Sequence, residues 1–169
     1  EDVLKSLRLA NDYFMEKWSD PGEAIPYPSR KRNYETNVWT RAYYYEGLID
    51  LWEIDPQQRY LDYALEWGNK HDWKLRGTKN GWKTRNADNQ CAGQAYLYLY
   101  QLDPEKPERY IVNIKTSIDS MMITDKIDDW HWIDAVQMAM PIFAQLGNIT
   151  GDTAYYERAY EMYNYTKTR

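Results

Sequence analysis

Apolar residues recur every three to four positions along nearly the whole chain, and Gly, Pro and Asp punctuate them into segments at about 2–19, 36–53, 57–71, 86–102, 107–122, 129–146 and 152–167. Each segment wound as a helix presents one apolar stripe to a neighbour. No stretch makes a credible strand, so the pattern predicts an all-α chain. The only long irregular connection runs from Asp20-Pro21-Gly22 to Pro26-Tyr27-Pro28, and a shorter loop spans Gly77 to Trp82. Pro141 falls inside the sixth segment, where the missing N–H should kink or locally unwind the helix.

The segments pair off with a period. Asp55-Pro56, Asp103-Pro104 and Gly151-Asp152 each precede a segment, and their aspartates recur at intervals of 48 and 49 residues. An aromatic start follows each turn, at Arg59-Tyr60, Arg109-Tyr110 and Tyr155-Tyr156. The unit is a helical hairpin of about 48 residues, longer than the ~34 of a tetratricopeptide repeat. Hairpins of this kind stack into an open solenoid or close into a ring of paired helices. A ring of six needs about 288 residues plus loops, so the 169 residues present supply roughly three and a half hairpins.

Composition narrows the partners. The chain carries 21 Lys+Arg against 26 Asp+Glu, a net charge of −5, without an extended basic tract. That balance argues against nucleic acid and against an anionic membrane surface as partners. No stretch approaches the ~20 apolar residues of a membrane span. Glu1 to Lys5 lack the layout of a signal peptide, and a start at Glu1 rather than Met is expected to follow removal of a preceding segment. One cysteine, Cys91, cannot form an internal disulfide, and His71 and His131 stand too far apart to suggest a zinc site with it. Without a Gly-rich phosphate loop, a nucleophile elbow or clustered metal ligands, no cofactor and no metal are expected. Eight Trp and 17 Tyr are available instead to pack a core or to stack on a ligand.

If the helices alternate in direction, the second, fourth and sixth run parallel and their first turns meet at one end. Those turns read Asn37-Val38-Trp39-Thr40-Arg41, Asn86-Ala87-Asp88-Asn89-Gln90 and Trp130-His131-Trp132-Ile133-Asp134. Their N–H groups and helix dipoles favour an anion, which suits a carboxylate-bearing ligand. Asp134, among Trp130, Trp132, Ile133, Ala135, Val136 and Met138, is expected to be desolvated and raised toward the range of a working general acid; its structural alternative is a buried ion pair. Asp88 or Asn86 can be a helix cap, and a carboxylate of Asp88 beside Asp134 would hold one proton on the pair by repulsion. Trp39 and the Tyr43-Tyr44-Tyr45 run either stack on a sugar or fill the core. Arg41 either clamps a carboxylate or pairs with Glu46 or Glu53. His131 either orients a ligand or packs between its tryptophans, and His71 is expected to cap the third helix.

Three of these runs resemble a known family. Val38-Trp39-Thr40-Arg41 with Tyr44-Tyr45-Glu46-Gly47-Leu48, Asn86-Ala87-Asp88-Asn89-Gln90-Cys91-Ala92-Gly93-Gln94, and Trp132-Ile133-Asp134-Ala135-Val136-Gln137-Met138-Ala139-Met140-Pro141 resemble the unsaturated glucuronyl and rhamnogalacturonyl hydrolases of glycoside hydrolase families 88 and 105. The likeness extends from about Trp18 to the C-terminus, and Ala87, where family 88 usually has His, brings it nearer to family 105. The resemblance implies an (α/α)6 barrel of which residues 1–169 form the N-terminal portion, with the other half expected from missing C-terminal sequence. It implies a soluble bacterial enzyme of periplasm or cytoplasm that acts on oligosaccharides ending in a 4,5-unsaturated uronic acid. An aspartic acid matching Asp134 would protonate C4 and activate the water that adds at C5, and Asp88 would support it. Trp39, Arg41, Tyr45, Asn86, His131 and Trp132 are the expected substrate-binding residues. This portion is expected to be inactive alone. The competing reading is a non-catalytic helical repeat binding glycan or peptide, with Asp88 and Asp134 far apart or facing solvent. A sugar epimerase on the same fold would show more histidines at the mouth.

Overall fold

The computed structural model describes residues 2–26 and 33–168. Helices α1 (Asp2–Lys17), α2 (Trp39–Ile54), α3 (Gln58–Lys70), α4 (Ala87–Gln90), α5 (Ala92–Leu102), α6 (Val112–Met122), α7 (Ile133–Thr150) and α8 (Ala154–Lys167) account for most of it, and a 3-10 turn at Glu108–Tyr110 leads into α6. The chain is all-α, as its periodicity predicts. The exception is a two-residue antiparallel ladder, Ile25–Pro26 with Asn33–Tyr34, inside the long connection after α1. Tyr27 and Pro28 of that connection lie outside the described residues.

Two expected helices take a different course. The 86–102 segment breaks its ladder at Cys91, which keeps helical dihedrals while Gln94 N–H bonds back only three residues to Cys91 O (3.0 Å), so α4 and α5 follow one path. The expected 129–146 helix starts only at Ile133 and continues to Thr150, where Gly151 (φ 74°) ends it in the left-handed conformation open to glycine. Trp130, His131 and Trp132 therefore lead into α7 instead of forming its first turn. Pro141 does not unwind α7, which runs through it without interruption. The Gln137 carbonyl, which a residue at 141 would normally bond, accepts instead from Gln94 Nε2 at 2.9 Å.

Hydrogen bonds between helices show two layers. Gln94 Nε2 also reaches Met138 O (3.0 Å), and Gln101 Nε2, two turns on, reaches Gln145 Oε1 (2.9 Å). Residue numbers rise together, so α5 and α7 are parallel, and α2 packs beside α5. In the other layer Arg59 of α3 pairs with Asp12 of α1 and Tyr63 bonds Trp18 O; Arg109 and Asn113 bond Asn69 and Trp73 O; Tyr155 and Arg158 of α8 bond Asp119 and Met122 O. These helices also run parallel to one another. Short turns at Asp55, Asp103 and Gly151 join each inner helix to an outer one, which makes the layers antiparallel and places every inner N-terminus at one end.

The core lies between the layers and is largely aromatic. Tyr45 stacks on Trp67 (4.0 Å between centroids), Trp67 meets Tyr96 (5.0 Å), and Trp73 stacks on Tyr110 (3.6 Å). At Gly93, α5 lies against Ile114 of α6: a Cβ there would stand 2.3 Å from Ile114 Cγ1, so only glycine fits.

Candidate active site

The inner N-termini enclose a pocket of about 360 Å³ lined by Trp39, Asn86, Ala87, Asp88, Asp129, His131, Trp132, Asp134, Ala135 and Met138. Six of the eight residues singled out from the sequence meet there: Trp39 from the start of α2, Asn86 and Asp88 from the start of α4, and His131, Trp132 and Asp134 around the start of α7. A cavity of about 390 Å³ lies on the outer side, between Glu35, Asn37 and the Lys70–Lys79 stretch. It has no Trp, Tyr or Phe in its wall, and its Lys70 and Lys74 are engaged by Asp20 and Glu66 and by Asp72.

Asn86, not Asp88, caps the helix: its Oδ1 accepts the Asn89 N–H at 3.2 Å. The Asp88 carboxylate is thereby left for the pocket. Burial pushes it above the ordinary carboxylate range and the charge of Asp134 raises it further, while Arg76 opposes both. Arg76 itself rests over the Tyr34 ring at 4.7 Å. Asp134 corrects an expectation, because it is exposed instead of sunk among aromatics. The reason is the late start of α7: Trp132 and Ile133 stand 76 % and 80 % exposed, and burial begins with Ala135 and Val136.

Arg41 and Tyr45 do not reach the pocket. They lie four residues apart on the face of α2 opposite Trp39 and Tyr43, and that face packs into the core. Tyr45 is buried against Trp67 and donates from its hydroxyl to Pro21 O at 3.4 Å. Arg41 meets neither Glu46 nor Glu53; it is 5 % exposed, with its guanidinium 4.7 Å and 4.4 Å from the Phe14 and Trp18 ring centres, and burial holds its pKa down. His71 stands at the C-cap of α3, as expected, but its ring bonds Thr36 Oγ1 at 2.7 Å.

Residues with no local sequence signal complete the site. Asp129 lines the pocket and takes both its oxygens to Arg85, 44 residues earlier. Below the pocket, Tyr43 bonds Gln137 of α7, and Glu46 accepts from Cys91 Sγ at 3.7 Å and from Gln137. Among the described residues no three His, Cys, Asp or Glu gather as a metal site, and no helix is long and apolar enough to cross a membrane.

Comparison with known proteins agrees on the family. The model of Glycosyl Hydrolase Family 88 matches residues 8–169. A solved structure described as a polysaccharide lyase is 24 % identical with a TM-score of 0.83, and covers 99 % of this chain and 46 % of its own. The structure of a family 88 glycosyl hydrolase from Bacteroides vulgatus is also 24 % identical, with a TM-score of 0.80, and covers 99 % of this chain and 47 % of its own. No curated protein matches the chain by sequence. The chain thus spans about half the length of the solved structures it resembles, in keeping with part of a ring of paired helices. With nearly all its residues under one family model and its paired helices shared with a structure of that family, the chain belongs to Glycosyl Hydrolase Family 88.

Proposed function

We propose that the whole protein is a glycosidase that removes a terminal 4,5-unsaturated uronic acid from oligosaccharides generated by lyases. The observation that carries this reading is the placing of Asp88 and Asp134 in one pocket between Trp39 and Trp132, close enough for the charge of Asp134 to act on Asp88. The charge of Asp134 favours the protonated form of Asp88, and the aromatic walls suit the faces of a sugar ring. Their proximity also counts against a binding repeat in which they stand apart, although Asp134 does face solvent.

In the reaction, Asp134 in its acid form gives a proton to C4 of the vinyl ether, and positive charge develops at C5 and the ring oxygen. The Asp134 carboxylate then takes a proton from the water that adds at C5, which restores the acid. The hemiketal opens by breaking the bond between C5 and the ring oxygen, and the hemiacetal left at C1 expels the remaining sugar. Asp88 holds the substrate and, through its charge, keeps the proton on the pair. The N–H groups at the start of α7 that no carbonyl or side chain engages favour the uronate carboxylate. Ala87, where family 88 enzymes usually carry His, supports the family 105 branch and rhamnogalacturonan-derived substrates. The second half of the barrel supplies the remaining contacts to the sugar.

The test follows the ultraviolet absorbance of the unsaturated uronate during incubation with the full-length protein. The signal should fall with unsaturated rhamnogalacturonan or chondroitin-type disaccharides, and Asp134→Asn should slow the loss by about 10²–10⁴-fold. Constant absorbance on every unsaturated substrate would overturn the reading.

A further inference from the structure

One ion pair ties together the two segments that carry the carboxylates. Arg85 stands immediately before Asn86, and its guanidinium forks onto Asp129, Nε to Oδ1 at 2.9 Å and Nη2 to Oδ2 at 2.5 Å. The same guanidinium donates to Thr124 Oγ1 and to Lys126 O, each at 3.1 Å. A single side chain therefore grips three points of the segment between α6 and α7, while its own backbone leads within three residues to Asp88. Asp129 lies five residues before Asp134, and its side chain is only 4 % exposed. A planar fork fixes angle as well as distance, which a point charge such as Lys would not do.

Asp129 is also a third carboxylate lining the pocket. Arg85 and Lys126, whose Nζ lies 3.3 Å from it, neutralise it, so the pocket keeps the mutual repulsion of Asp88 and Asp134 without a further negative charge. We propose that Arg85 and Asp129 form a positioning pair, which sets the separation of Asp88 and Asp134 and cancels the charge that Asp129 would otherwise add beside them. The inference rests on the reading of Asp88 and Asp134 as the reacting pair. Other charged or titratable groups around them are Arg76 between α3 and α4, Cys91 between α4 and α5, Lys126, Asp128 and His131 between α6 and α7, and Tyr43 and Glu46 of α2.

Two variants of the full-length protein should act with opposite sign. Arg85→Gln leaves Asp129 underpaired, adds negative charge and disfavours the Asp88 carboxylate, so the acid limb of the kcat profile moves up by about one pH unit. Asp129→Asn frees the Arg85 cation beside the same groups, and the limb moves down by about as much. In both, loss of the fork should lower kcat by about tenfold or more, with a smaller change in KM. The double variant should regain the wild-type pH dependence without regaining kcat. A pair that merely stabilised the loops would move both profiles the same way or not at all, and that result would sink the proposal. Carboxyl NMR titration of Asp88 in the same proteins reads the shifts without turnover. Opposite shifts with no hydrolysis would keep the pair and discard the substrate; hydrolysis with unmoved titrations would do the reverse. If Arg85→Gln does not fold, Arg85→Lys, which keeps charge but not the fork, should lose kcat while its titration stays in place.

Discussion

Glu46 shows what one side chain costs when the fold turns it inward. On α2 it shares a face with Trp39, Tyr43 and Asp50, and among the described residues no ion pair reaches it. Burial pushes its carboxyl from 4.5 up to about 7, against the opposing hydrogen bonds from Cys91 and Gln137. The folded state thus binds more protons than the unfolded one between these two values, and stability falls as pH rises through that window. Glu46→Gln should accordingly raise the thermal midpoint above neutrality, by about 1–2 kcal/mol of stability, and change little in acid, where Glu46 is protonated in both states. Unfolding curves for the two proteins that stay parallel from acid to neutral pH would contradict this. The opposite face of the same helix carries Arg41 and Tyr45 into the core, away from Trp39. Aromatic residues stand on both faces of α2, so sequence spacing does not reveal which face looks into the pocket.

At the scale of elements, α7 depends on a neighbour to remain whole. Pro141 has no N–H for the Gln137 carbonyl, and the buried Gln94 amide of α5 supplies the missing donor. Gln94→Leu should leave that carbonyl unsatisfied and destabilise the protein by about 1–3 kcal/mol, read from the urea midpoint. In a Pro141→Ala background the restored backbone N–H takes the carbonyl, and the cost of Gln94→Leu should shrink. Equal costs in both backgrounds would show that Gln94 stabilises α7 in some other way. A proline in the sixth segment is legible from sequence, but its repair is not, because the donor lies 43 residues away on a different helix.

Across the whole molecule, the chain corresponds to about half of the folds it resembles, and it carries apolar side chains on its surface. Val3, Leu9, Ile54, Ile123, Ile133 and Tyr160 are all well exposed, and an apolar groove between α1 and α2 is lined by Leu7, Phe14, Tyr44, Leu48 and Leu51. Produced by itself, this portion should self-associate in size-exclusion chromatography with light scattering, whereas the full-length protein should show a defined mass and no excess binding of a hydrophobic dye. A monodisperse, dye-silent portion would mean that its exposed faces do not need the second half. The 48-residue interval of the Asp turns carries over directly, since each turn closes an inner helix and opens an outer one.

What the sequence by itself determined is the all-α class, the hairpin period, and the three stretches of chain that line most of the pocket. These follow from local spacing, turn chemistry and short motifs, which need no partner to be read. Only the tertiary structure decided that Asn86 takes the cap and leaves Asp88 for the pocket, that Asp134 stands open to solvent, and that Arg41 and Tyr45 face the core. It alone joined Arg85 to Asp129 and Gln94 to the Gln137 carbonyl. The physical reason is the same in each case: which face of a helix is buried, and which distant group completes a hydrogen bond, depend on packing between elements that no local pattern specifies.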